Sequence, residues 1–309
     1  MFNPRNILTI INTPRLLWPL KIAVTVFVIY LADRGLSKTQ LGPLIGHMSF
    51  MPTALAILLG CACFYFQVIR WRIILRGAGI PVTGKTALRT MLWGSLLAFI
   101  TPGRTGELFR ATGLPATKKS QTVYAVLIDK MFTGGSVVAV GALCCMVMLF
   151  GKRPSCWGFW IIIIGATLAA AGAGLAFRLR NFSPLKKAFR QLPTLKGRSL
   201  GNVIACSIAA HALLLVQTAA LFDMFGSRDF QANILAAGQS YAFMLFFPFF
   251  IANMGIREYA FGMFLGGALV PAAFGASMGI LAINIVLPAL LGLGWWMVDI
   301  KKISGAPPR

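Results

Sequence analysis

Acidic residues are scarce in this chain: seven of 309 residues are Asp or Glu, against 29 Lys and Arg, and all charged types together make up only 12%. A soluble domain carries about 25% charged residues, so a water-soluble fold is excluded. Histidine is scarcer still. His47 and His211 have no second His or Cys at ligand spacing, so no metal is expected. The six cysteines (Cys61, Cys63, Cys144, Cys145, Cys156, Cys206) form no C-x-x-C pair. All but Cys156 lie in apolar runs, where free Cys acts as a small packing residue. A nucleotide-binding loop and a nucleophile with a base beside it are also missing, so no catalytic residue, no enzyme activity and no cofactor is expected.

Hydrophobic residues make up 58% of the chain. They are grouped into runs near the ~20 residues that a helix needs to cross a ~30 Å hydrocarbon layer. The reading is an all-α polytopic membrane protein, one transmembrane domain over 1–309. Seven crossings are expected, at Leu17 to Ala32, Met51 to Ile69, Thr122 to Phe150, Trp157 to Phe177, Leu200 to Phe222, Ile234 to Ala252 and Ala276 to Val298. No small-x-small cleavage site precedes Asp33, so the first of these reads as a retained span. Two more segments, Met91 to Gly113 and Asn253 to Leu269, are apolar but broken by Gly, Pro and charge, as re-entrant or discontinuous helices are.

A net charge of +22 would suggest nucleic acid for a soluble protein, but these cations lie in short loops between spans. Sorted by loop, 22 of the 29 fall on one side and five on the other, with Lys130 and Arg257 inside apolar runs. By the positive-inside rule both termini are cytoplasmic, in the plasma (inner) membrane, and no nucleic-acid partner is expected. If both broken segments are hairpins that return to the face they left, parity is preserved, and the two enter from opposite faces. That is the logic of an inverted-topology repeat, with halves 1–150 and 151–309. Gly275 and Gly279 permit close helix contact, and a homo-oligomer is compatible with the pattern.

Three acids, Glu107, Asp129 and Glu258, lie within or beside apolar segments, each with cations close by. An ion in hydrocarbon costs at least ~2.5 kcal/mol, so such residues face a partner or a wet cavity. In Thr101-Pro102-Gly103-Arg104-Thr105-Gly106-Glu107-Leu108-Phe109-Arg110, Thr101 reads as an N-cap and Pro102 as a first helical residue. The free amides of that helix start, from Thr101 to Gly103, favour an anion, and Arg104 adds a donor fork suited to phosphate. Arg104, Glu107 and Arg110 follow at spacings of three and share a face. In Asn253-Met254-Gly255-Ile256-Arg257-Glu258-Tyr259, Asn253 reads as a cap and Gly255 permits close backbone approach. Asp129 lies about eight residues into its span, or ~12 Å deep. Adjacent Lys130 points elsewhere on the helix, so Arg104 or Arg257 is the expected partner of Asp129. The candidate substrate-binding residues are therefore Arg104, Glu107, Arg110, Asp129, Lys130, Arg257 and Glu258.

With these residues in view, the chain resembles the flippase-like transmembrane domain of the lysylphosphatidylglycerol synthase family over nearly its whole length. Arg70-Trp71-Arg72, Pro102-Gly103-Arg104-Thr105-Gly106-Glu107 with Arg110, and Gly255-Ile256-Arg257-Glu258 carry the likeness. Where that family has a Glu-Arg pair and a later Asp, this sequence has Asp129, Lys130 and Thr133. The resemblance implies transfer of a lipid between leaflets. It does not imply lysine transfer, since only eleven residues follow Val298. The expected ligand is a phospholipid or a polyprenyl phosphate. The competing expectations are an integral-membrane enzyme that modifies a lipid and a non-transporting scaffold for a lipid-synthesis complex.

Overall fold

The computed structural model describes residues 50–114, 119–150, 195, 197–247, 253–266 and 270–304. Among them every regular element is helical. α1 is Phe50–Gly77, α2 is Gly84–Ile100, and a 3-10 helix follows at Pro102–Gly113. α3 is Lys119–Phe150, α4 Arg198–Met224, α5 Phe230–Met244 and α6 Ile256–Leu265. The last long helix runs as α7 (Val270–Leu281), a π-helical turn (Ala282–Val286) and α8 (Leu287–Ser304).

Four helical stretches are long and apolar enough to cross a membrane: Phe50–Gly77, Gln121–Met148, Arg198–Met224 and Pro271–Val298. They account for four of the seven expected crossings. Their outward faces carry exposed Leu58, Met131, Leu143, Leu290 and Met297, which suits contact with hydrocarbon. The crossings expected at Leu17 to Ala32 and Trp157 to Phe177 lie outside the described residues. The one expected at Ile234 to Ala252 differs. α5 has 15 residues and stops at Met244, about 22 Å at 1.5 Å per residue and short of a ~30 Å layer.

α1 runs past Ile69, where the span was expected to end, and carries Arg70 and Trp71 into the interior. Its stop is a Schellman turn. Gly79 has φ 71, the Ile80 amide donates to the Leu75 carbonyl at 2.9 Å, and Ile80 and Leu75 are both buried. Thr83 then caps α2 by accepting from the Thr86 amide at 3.2 Å.

α2 and the 3-10 helix form an antiparallel hairpin. The Thr101 hydroxyl closes its turn, donating to the Leu97 carbonyl at 2.8 Å and accepting from the Gly106 amide at 2.6 Å. A Cβ on Gly106 would stand 2.3 Å from the Leu97 carbonyl oxygen, so only glycine lets the arms close. Arg89 ties the open end, donating to the Gly113 carbonyl at 3.3 Å. The segment expected as Met91 to Gly113 is thus a helical hairpin that begins earlier, at Gly84.

α5 and α6 make a second antiparallel hairpin. Asp229 caps α5 through the Ala232 amide at 3.0 Å, and Ser240 bonds the Ala260 carbonyl at 3.2 Å across the pair. The Tyr241 and Phe261 rings meet edge-on at 5.8 Å. Asn253, expected as the cap of α6, stands two residues too early. The cap position is Gly255, at φ 86, whose amide donates to Glu258 Oε2 at 2.5 Å. Asn253 itself takes φ 57 in the turn.

The described chain therefore reads long helix, helical hairpin, long helix, twice over. α1 and α4 pack antiparallel, with Cys63 against the Ala210 carbonyl midway along the seam. Each hairpin leans on the last helix of the other half, α2 on α8 and α5 on α3. Both crossings use glycine: Gly292 abuts the Leu92 carbonyl, and Gly141 abuts Ala242. Gly275 and Gly279 are spent inside the fold, against Phe225 and Leu221 of the α4 end.

Candidate functional site

The 3-10 geometry decides what the first hairpin presents. At three residues per turn, positions 104, 107 and 110 stack along one face more strictly than on an α-helix. Glu107 and Arg110 are ion-paired on that face, and Arg104 stands one turn before them in the backbone. Arg110 reaches on to α3, where its Nη1 donates to Asp129 Oδ2 at 2.9 Å. Its guanidinium also lies over the Trp71 ring at 5.4 Å, and Trp71 is held by the Thr90 hydroxyl at 3.0 Å. Gly94 makes the room, since a Cβ there would stand 2.5 Å from Arg110 Cγ.

Asp129 does not take its expected partner. It is bound by Arg70, whose Nε donates to Oδ1 at 2.8 Å, and by Arg110. Arg104 and Arg257 were expected because Arg70 was read as a loop cation. The extension of α1 beyond Ile69 turns Arg70 inward, where it also donates to Thr133 at 2.8 Å and to Ser207 at 3.3 Å. Both carboxylate oxygens of Asp129 and all three Arg70 nitrogens are thus engaged, as a buried pair requires. Lys130 does leave Asp129, as expected, but its Nζ lies 2.5 Å from Glu107 Oε2. Its side chain is 41% exposed, whereas those of Arg70, Arg110, Glu107 and Asp129 are at most 4% exposed. Three cations and two carboxylates alternate from the surface to the seam between α1 and α4.

The second hairpin carries a smaller cluster. Arg257 is buried; its Nε donates to the Ser277 hydroxyl at 2.6 Å, and its Nη2 lies 3.7 Å from Glu258 Oε1. Ser277 in turn donates to Glu258.

Both arginines reach one cavity of about 240 Å³. Arg110 and Arg257 share its wall with Gln67, Ser95, Asn253 and Asn284. Of the candidates read from sequence, the structure brings Arg110, Arg257 and Asn253 to this wall. Glu107, Asp129 and Glu258 are the arginines' partners and do not line it, Lys130 pairs with Glu107, and Thr101 and Gly255 serve the hairpin turns. Gly103 lies in the first turn of the 3-10 helix.

Sequence reasoning missed Arg70 and Gln67, although Cys63, Gln67, Arg70 and Ile74 follow at helical spacing along α1. That periodicity was the available signal. It also missed a reciprocal amide pair in the second half: Asn284 Nδ2 donates to Gln217 Oε1 at 2.7 Å, and Gln217 Nε2 lies 3.2 Å from Asn284 Oδ1. Gln217 Nε2 also donates to the Ala56 carbonyl at 2.8 Å. Asn284 lies in the π-helical turn, four residues before Pro288, which has no amide to give an α-helical bond.

No curated protein matches the sequence. A family model does, the lysylphosphatidylglycerol synthase TM region, over residues 18–298. That match takes in the described helices as far as Val298, with both hairpins and the cavity between them, and the chain belongs to this family of membrane domains.

Proposed function

We propose that the protein moves an anionic lipid, a phospholipid or a polyprenyl phosphate, between the leaflets of the plasma membrane, with the headgroup held between the two hairpins. One observation carries this reading: Arg110 and Arg257, one from each hairpin, share the wall of a cavity, while the carboxylates that balance them lie behind. Cations inside an apolar fold are costly and mark a pathway or site. Planar guanidinium forks suit phosphate oxygens. Arg104, at the start of the 3-10 helix, belongs to the same proposed site.

The recurrence of long helix, hairpin and long helix supports an inverted repeat whose halves rock about the α1–α4 seam. Glu107, Asp129 and Glu258 hold the cations when no lipid is bound; Glu107 and Glu258 exchange partners as it enters, while Asp129 stays with Arg70. Six full crossings, with two hairpins that enter from opposite faces and return to the face they left, leave both termini in the cytoplasm. The chemistry is displacement without a covalent step.

Purified protein in liposomes should move an acyl-labelled phosphatidylglycerol or a polyprenyl phosphate from one leaflet to the other, read by the fraction of label that an impermeant quencher reaches. Arg257→Ala should abolish the movement. Equal rates in protein-free liposomes would overturn the reading.

A further inference from the structure

We propose that the cavity selects headgroups that combine a negative charge with uncharged hydroxyls and carry no amine. This rests on the transport reading and specifies its substrate class. Five of the seven acidic side chains of the chain are described, and none of those five lines the cavity. The carboxylates beside the two arginines are already engaged: Glu107 with Arg110 and Lys130, Asp129 with two arginines, and Glu258 with the Gly255 amide and the Ser277 hydroxyl. An ammonium group brought to this wall meets guanidinium groups of its own sign and, among the described residues, no carboxylate left to pair with. Such an unpaired charge is what a site uses to reject a competitor.

The rest of the polar wall is neutral. Asn284 spends one N–H and one lone pair on Gln217, which leaves one donor and one acceptor for a ligand. Gln67 donates to Cys63 at 3.3 Å, which leaves its carbonyl oxygen to accept. Ser95 donates to the Met91 carbonyl at 3.0 Å and can still accept. Amide and hydroxyl groups of this kind pair with hydroxyls. The cavity, about 240 Å³, is smaller than the ~300–1,000 Å³ of pockets that enclose drug-sized ligands. It therefore holds a headgroup and leaves the chains to the bilayer. Glycerol phosphodiesters and polyprenyl-linked hexose phosphates share the required chemistry.

The full-length protein in detergent, mixed with phosphatidylglycerol and phosphatidylethanolamine of identical acyl chains, tests this by native mass spectrometry of the bound lipid. Phosphatidylglycerol should be retained at least about tenfold over phosphatidylethanolamine, because the ammonium meets guanidinium groups of its own sign and no free carboxylate among the described residues. A parallel mixture with a polyprenyl phosphohexose shows which carrier is held better. Asn284→Asp puts a carboxylate on the wall at nearly constant volume and should bring the preference below about threefold. Gln67→Glu does the same from α1 if the first variant does not fold. Equal retention of the two phospholipids by the unmodified protein would overturn the proposal even if leaflet exchange is seen. An unchanged preference in both folded variants would overturn it as well. A preference without leaflet exchange would sustain it and overturn the transport reading instead.

Discussion

Twice along the described chain, a long helix reaches across to a later one through a buried polar bridge. In the first half Arg70 of α1 bonds Asp129 of α3; in the second, Gln217 of α4 bonds Asn284 of the π-helical turn. The element order is the same and the chemistry is not. A buried ion pair offsets its desolvation only when every donor and acceptor is used, and breaking it exposes uncompensated charge. An amide pair gives up far less when it parts. The first bridge is therefore a fixed post that holds Arg110 against the cavity, and the second is the one that can open and reclose at small cost. The π-helical turn sits at that second bridge, as such turns do at functional sites.

The largest effect should come from breaking the charged bridge on one side. Asp129→Ala takes from Arg70 the carboxylate it is paired with and from Arg110 one of its two, and should cost about 3–5 kcal/mol. The melting temperature in detergent should fall steeply, or folded protein should be lost. Converting the first bridge into the chemistry of the second, by Arg70→Gln with Asp129→Asn, should recover much of that loss, because no charge is stranded at the seam. A double variant no more stable than Asp129→Ala would show that the two bridges are not interchangeable. Next in size is Gln217→Leu, which strands Asn284 and the Ala56 carbonyl and should cost about 1–3 kcal/mol in the same melting assay.

These differences also explain what was legible in the sequence. Long apolar runs show α1, α3, α4 and the last helix because the bilayer sets their length. Both hairpin turns were readable from Pro102, Gly103 and Gly255, the residues that such turns need. The end of α1 was not readable, because a cation after an apolar run looks like a loop residue until its partner is known. Asp129 is 59 positions from Arg70, and nothing local announces the pair. The shortness of α5 was hidden for a related reason: the apolar run through Phe247 does not itself mark where the helix stops. The amide bridge was not readable as a pair either, since a single Gln217 in an apolar run resembles a packing residue.

The smallest effect should fall on the outermost ion pair, and its size discriminates between two roles for the charge chain. Lys130 contacts Glu107 from a half-exposed position, where a pair contributes about 0–1 kcal/mol. Lys130→Ala should therefore leave the melting temperature within a few degrees of the unmodified protein, since Glu107 keeps Arg110. If the chain were a single cooperative lock, losing its outer member would instead destabilise the protein nearly as much as losing Asp129. A small shift in melting, together with an altered rate of lipid exchange, would place Lys130 on the path of the headgroup. The fixed post would then begin at Arg110, one step further in.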